Sequence, residues 1–142
     1  MFTVSKHTTC AKHFRDAYSQ QMESDFFDYN GNPFEDLIDL QARLIKEETM
    51  EFMEAIEDLY LDPSTESKTS LLKELADIVF VCFQFAAAFD LDLDEASQRV
   101  FTSNMSKLGF NGKPIYREDG KILKGPNYTE PNLNNLVKEN VK

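Results

Sequence analysis

Residues 44–58 read LIKEETMEFMEAIED and residues 71–80 read LLKELADIVF, with the polar stretch DPSTESKTS at 62–70 between them. Both segments space their apolar side chains as helices do, yet each carries acids where an apolar residue belongs. An unpaired carboxylate in low dielectric costs several kcal/mol or takes up a proton. On a wheel of about 100° per residue, Phe34, Leu37, Ile38, Leu44, Ile45, Phe52, Ala55, Ile56 and Leu59 form one stripe of the first helix. Glu48 falls inside that stripe, Glu47 and Glu51 run along its edge, and Lys46, Met53, Glu54 and Glu57 face away. The second helix is apolar nearly all round from Leu75 to Phe89, the pattern of a helix with neighbours on every side. Glu74 and Asp77 share one face of it, and Gln84 continues their line. With no surplus of Lys or Arg nearby, these acids point to a hard divalent ion, Mg²⁺ or Mn²⁺, which prefers oxygen ligands. The nine-residue turn at 62–70 sets the helices antiparallel, so Glu48, Glu51, Glu74 and Asp77 are expected to converge as metal ligands. Mg²⁺ held by few carboxylates completes its shell with water and substrate phosphates, which makes the cluster half of a phosphate site.

The flanking sequence supplies the other elements. Asn32 as N-cap, Pro33 at the first helical position and Glu35 three after the cap predict a helix over about 33–60. The second helix is expected over about 68–89. A third should begin near Asp92, with Glu95 completing a capping box, and end at Gly109. Phe14, Ala17 and Tyr18 have helical spacing and predict a short helix before these. In KPIYREDGKILKGPNY, at 113–128, apolar runs flank Asp119-Gly120, the signal of a β-hairpin. From Glu130 on the chain reads as a polar tail free to fray. The expected fold is all-α: an antiparallel helix bundle with a short C-terminal β-hairpin extension. It should form one domain over 1–142, with the helical core at about 33–109 and hairpin and tail at 110–142.

Composition narrows the function classes. A chain of 142 residues can bury about two thirds of its unfolded surface as one domain. With 42% apolar residues, 12 Phe and 5 Tyr, there is ample material for a core despite the charge. A net charge of −10 and a pI near 4.6 argue against a nucleic-acid polymer held by phosphate contacts, which would need a basic face. Two cysteines, with Cys82 in an apolar run, fit a reducing cytoplasm rather than a disulfide framework. MFTVSKHTTCAKHF lacks an apolar core of signal-peptide length. The 15 residues from Leu75 to Phe89, interrupted by Asp77 and Gln84, are too short to span a bilayer. His7 and His13 read as surface residues, since no Cys/His ligand spacing is present. Phe80, Phe83, Phe85 and Phe89 read as core or as an oligomer seam.

The order ExxE, linker, ExxD, written here as LIKEETMEFMEAIED and LLKELADIVF, resembles the all-α nucleoside triphosphate pyrophosphohydrolases of the MazG-like and phosphoribosyl-ATP pyrophosphohydrolase-like group. The likeness covers roughly 34–128. SNMSKLG at 103–109 and the closing IYREDGKILKGPNY are similar to the short stand-alone forms of phages and bacteria. The resemblance implies Mg²⁺-dependent hydrolysis between the α and β phosphates of an NTP or dNTP, giving a nucleoside monophosphate and pyrophosphate. It implies Glu48, Glu51, Glu74 and Asp77 as metal ligands. Glu47 would bind a further ion or orient and deprotonate the attacking water. Asn104 and Lys107, placed on one face of the third helix, stand where the family holds phosphate or metal-bound water, although many members carry a Lys/Arg pattern there. Lys121, Lys124 and Tyr128 are candidates for closing over the substrate, Tyr128 by stacking on a base; the alternative for the lysines is an ordinary solvated turn. A homodimer or homotetramer is expected. Two other readings stand beside the triphosphate one: a phosphoribosyl-ATP pyrophosphohydrolase, and a helical interaction module without activity.

Overall fold

Neither glycine nor proline interrupts residues 34–62, and good helix formers fill them, so the chain runs as one long helix, α2 (Glu35–Leu61). Glu35 and Asp36 in its first turn complement the positive end of the helix dipole. Asn32 is not its N-cap. Phe34 holds that position without a side-chain hydrogen bond. The competing interaction is Asp28, whose Oδ1 accepts from the backbone N–H of Asn30 at 2.8 Å and of Asn32 at 2.9 Å, drawing Asn32 into a preceding loop. Pro33 pairs there with Phe27 in an isolated bridge.

The computed structural model describes residues 6–139; the first five residues of the N-terminal stretch and the last three of the tail lie outside the described residues. Within them stand α1 (Lys6–Ala17), α2, α3 (Thr65–Ala88), α4 (Leu93–Met105), a hairpin of β1 (Ile115–Tyr116) and β2 (Ile122–Leu123), and a 3-10 turn (Asn134–Leu136). The chain divides into two units, one ending at Leu91 and one beginning at Asp92. None of the described helices is long and apolar enough to cross a membrane.

In the first unit the connection from α2 to α3 is shorter than the expected nine residues. Pro63 stops α2 and holds Asp62 extended, at φ −142°. Ser64 then caps α3 at once: its Oγ accepts from the Ser67 N–H at 3.1 Å, and Ser67 Oγ accepts from the Ser64 N–H at 3.0 Å. The Ser/Thr-rich segment therefore forms the first turns of the helix. At its other end α3 closes with two backbone bonds, Leu91 N–H to Ala86 O and Asp90 N–H to Ala87 O, around Asp90 at φ +53°. Asp tolerates this left-handed conformation better than most residues.

With so short a link α2 and α3 pack antiparallel, and positions at equal distance from the turn face each other. Glu48 lies about 20 Å back from Leu61 and Asp77 about 18 Å on from Thr65, at about 1.5 Å per residue. At the far end Leu37, Ala88 and Phe89 form the buried core, covered by Phe26, Phe34, Ile38, Phe85 and Leu91. The Phe26 and Phe89 rings stand 4.7 Å apart.

The expected short helix is α1, which begins well before Phe14 and packs on α3. Phe14 meets Phe80 edge-on at 5.0 Å, and the exposed His7 stacks on Phe83 at 4.9 Å. Arg15, only 1% exposed, donates to the Gln21 carbonyl through Nε and Nη2 and to Gln84 Oε1 through Nη1. Neighbours do not surround α3 over its whole apolar run. It is buried from Val81 to Phe89 mainly on the sides that meet α1 and α2, while Leu75, Val79 and Phe80 remain exposed.

In the second unit Asp92 caps α4 as expected, its Oδ1 accepting from the Glu95 N–H at 3.0 Å. The Glu95 carboxylate does not complete the box but pairs with Arg99 at 2.9 Å. The helix ends at Met105, before Gly109, because Ser106 Oγ bonds the Ser103 carbonyl and accepts from the Thr129 N–H. The hairpin forms with Ile115 opposite Leu123 and Tyr116 opposite Ile122, around Gly120 at φ +88°. The start of the expected fraying tail is held: Arg99 donates from Nη1 to the Asn132 carbonyl and to Asn135 Oδ1.

Candidate metal centre

The wheel position of Glu48 and the i, i+3 spacing of Glu74 and Asp77 place three carboxylates at one level of the α2/α3 seam. One oxygen from each lies within 4.8 Å of the other two, and all three residues are partly buried. Glu48 Oε2 and Glu74 Oε2 are shut off from solvent and have no hydrogen-bond partner. Three like charges so close cannot all remain ionised without a counter-charge. Burial pushes the Glu48 carboxyl above the usual range, and the charges of Glu51, Asp77 and Glu74 push it further.

Glu51, one turn on from Glu48, is exposed. Its charge reaches Glu48, but it stands outside the trio whose oxygens share the 4.8 Å limit. Glu47 is exposed beside the cluster on α2. The expected lack of surplus Lys or Arg near these acids leaves room for one lysine. Lys73 Nζ reaches Asp77 Oδ2 at 2.7 Å and Glu74 Oε1 at 3.6 Å, and it keeps its proton more firmly as a result. Its side chain is 65% exposed, so the pair is a surface contact of small worth. It leaves the two orphaned oxygens untouched.

The donor set fits a hard divalent cation. All its atoms are carboxylate oxygens, and two ligands on opposite sides of one Mg²⁺ stand about 4.2 Å apart. Oxygens within 4.8 Å of one another are therefore a small side-chain rotation from sharing an ion, and the orphaned oxygens of Glu48 and Glu74 supply the lone pairs.

The other expected site residues belong to the second unit. Asn104 is exposed on the last turn of α4, whereas Lys107 lies past the helix end, so the two do not share a helical face as expected. They are linked instead by a turn bond, Lys107 N–H to Asn104 O. Lys121 sits exposed in the hairpin turn. Lys124 lies over the Tyr128 ring, 4.7 Å from its centroid, so one face of that ring already carries a cation. The GPNY loop approaches the end of α4 so closely that a Cβ on Gly125 would stand 2.5 Å from the Lys107 carbonyl. A cleft of about 880 Å³ runs beside α4, lined among others by Gln98, Arg99, Thr102, Ser106 and Asn132.

Two residues were passed over in the sequence. Lys73 had a signal, an acid four residues on. Gln41, 2% exposed with its Oε1 unpartnered, stands two turns before Glu48 on the same stripe. A polar residue inside an apolar stripe was the available sign. Gln84 continues the line of acids but serves structure, accepting from Arg15 and donating to the Ala11 carbonyl.

Against known families, the model of the MazG nucleotide pyrophosphohydrolase domain matches residues 39–111, a span that holds every acid of the cluster. Comparison with curated proteins finds no match.

Proposed function

The chain belongs to the MazG nucleotide pyrophosphohydrolase family, and from that membership we propose that it hydrolyses a nucleoside triphosphate, NTP or dNTP, between the α and β phosphates with Mg²⁺ or Mn²⁺ as cofactor. The products are a nucleoside monophosphate and pyrophosphate. The observation that carries the reading is the trio Glu48, Glu74 and Asp77, with two solvent-shielded carboxylate oxygens that none of the described residues satisfies.

Glu48, Glu74 and Asp77 would hold the cation, with Glu51 one turn on from Glu48 as the further acid beside them. When bound, the ion would supply charge neutralisation for the polyphosphate and for the pyrophosphate leaving group. The apolar neighbours of Glu48 on α2 limit water around the cluster and strengthen its electrostatics. Glu47, facing solvent one residue before Glu48, orients the attacking water and accepts its proton.

A second copy of the chain is the partner that fits α3. Leu72, Leu75 and Val79 are 67%, 47% and 41% exposed and recur in the three-four spacing of a two-helix seam, away from α2. Light scattering should return a dimer or tetramer.

Incubation with a panel of NTPs and dNTPs plus Mg²⁺ tests the activity. Release of both monophosphate and pyrophosphate is expected. Turnover of phosphoribosyl-ATP alone would move the assignment to that substrate, and no turnover with no metal-induced stabilisation would leave an interaction module.

A further inference from the structure

Lys73 has no role in the scheme above, yet it touches two of the three cluster carboxylates. Its place is not explained by helix electrostatics. A Lys four residues before an acid is the weaker order of an i, i+4 pair, and Lys73 lies more than two turns inside α3, out of reach of the dipole at its end. What draws it in is the local excess of negative charge. Among the described residues, meanwhile, no cation pairs with Glu48.

We propose that Lys73 is a displaceable counter-ion, holding Asp77 and Glu74 before the divalent cation binds and then passing its ammonium to a phosphate of the nucleotide. The inference rests on the metal-dependent reading of this site. Three observations support the handover. The bridge uses Asp77 Oδ2 and Glu74 Oε1, carboxylate oxygens the ion would compete for. The side chain is 65% exposed, so a doubly charged ion dislodges it at small cost. Lys73 also lines an open cleft of about 360 Å³ on the first turns of α3, with Thr65, Glu66, Thr69 and Ser70. The ammonium thus has open space to turn into when it leaves the carboxylates, and a phosphate entering that space would meet it. A flexible lysine suits the task, being a point charge on a long stem.

The test compares wild type, Lys73→Met and Lys73→Arg by calorimetric titration. Mn²⁺ is titrated alone, and inorganic pyrophosphate is then titrated in the presence of Mg²⁺. Loss of the competing ammonium should tighten Mn²⁺ binding about two- to five-fold in Lys73→Met. The same variant should bind pyrophosphate about ten-fold more weakly, with Lys73→Arg between the two. Because Lys73 is exposed, helical circular dichroism should not change. Unchanged or weaker Mn²⁺ binding in Lys73→Met overturns the inference, as does unchanged pyrophosphate affinity. Failure of the wild type to bind Mn²⁺ would instead overturn the metal reading of the site itself.

Discussion

Glu48→Gln should make the protein more stable in chelator and less stable in Mn²⁺ than the wild type. The reason is the crowding of its carboxylate. At 4.8 Å and an effective dielectric of about 20, two unit charges repel by about 3.5 kcal/mol, and Glu48 meets two such neighbours in Glu74 and Asp77. Solvent on the open side of the cluster and Lys73 beside Asp77 reduce that figure, and protonation limits it further, leaving about 1–2 kcal/mol at neutral pH. The variant removes the charge and keeps the shape. Melting followed by circular dichroism in EDTA should then show a rise of about 3–6 °C for a chain of this size. With Mn²⁺ at 100 times its dissociation constant the wild type gains about 2.7 kcal/mol and overtakes the variant. The pH dependence has a definite sign. The Glu48 carboxyl holds its proton to higher pH folded than unfolded, so its contribution favours folding at low pH and is lost as pH rises through the raised folded value. In chelator the advantage of Glu48→Gln should therefore grow from pH 5 to pH 8. A variant less stable than wild type in EDTA, or one that gains equally from Mn²⁺, would refute the reasoning.

Asp77→Asn and Glu74→Gln should each lower nucleotide hydrolysis at least about 100-fold while the helical signal survives, measured by pyrophosphate release. Ser64→Ala removes the cap of α3 and should cost about 1 kcal/mol in urea denaturation. Arg15→Ala orphans Gln84 Oε1 and the Gln21 carbonyl inside the first unit and should cost about 2–4 kcal/mol by the same method.

The seam between α2 and α3 was legible because it obeys a period. An apolar stripe of nine residues makes a single misplaced acid visible, and the i, i+3 spacing of Glu74 and Asp77 fixes their common face. The element ends were less legible, since several polar side chains compete for the same backbone groups. Asp28 took the N–H of Asn32, Ser64 and Ser67 capped each other inside a segment that composition marks as a turn, and Ser106 ended α4 before Gly109. Charged residues were hardest of all. Arg15 reads as a surface charge on a short helix, yet it is buried by contacts to residues 21 and 84 that no local pattern announces. Lys73 lies in the very segment that decided the fold, but its partner choice depends on how many acids meet there, a property of two helices together.

Anomalous scattering from crystals grown with Mn²⁺ tests the central claim most directly. A manganese peak bonded to carboxylate oxygens of Glu48, Glu74 and Asp77 is expected, with Lys73 turned away from them. Manganese bound only elsewhere, with Lys73 still seated on Asp77 and Glu48 protonated, would contradict it.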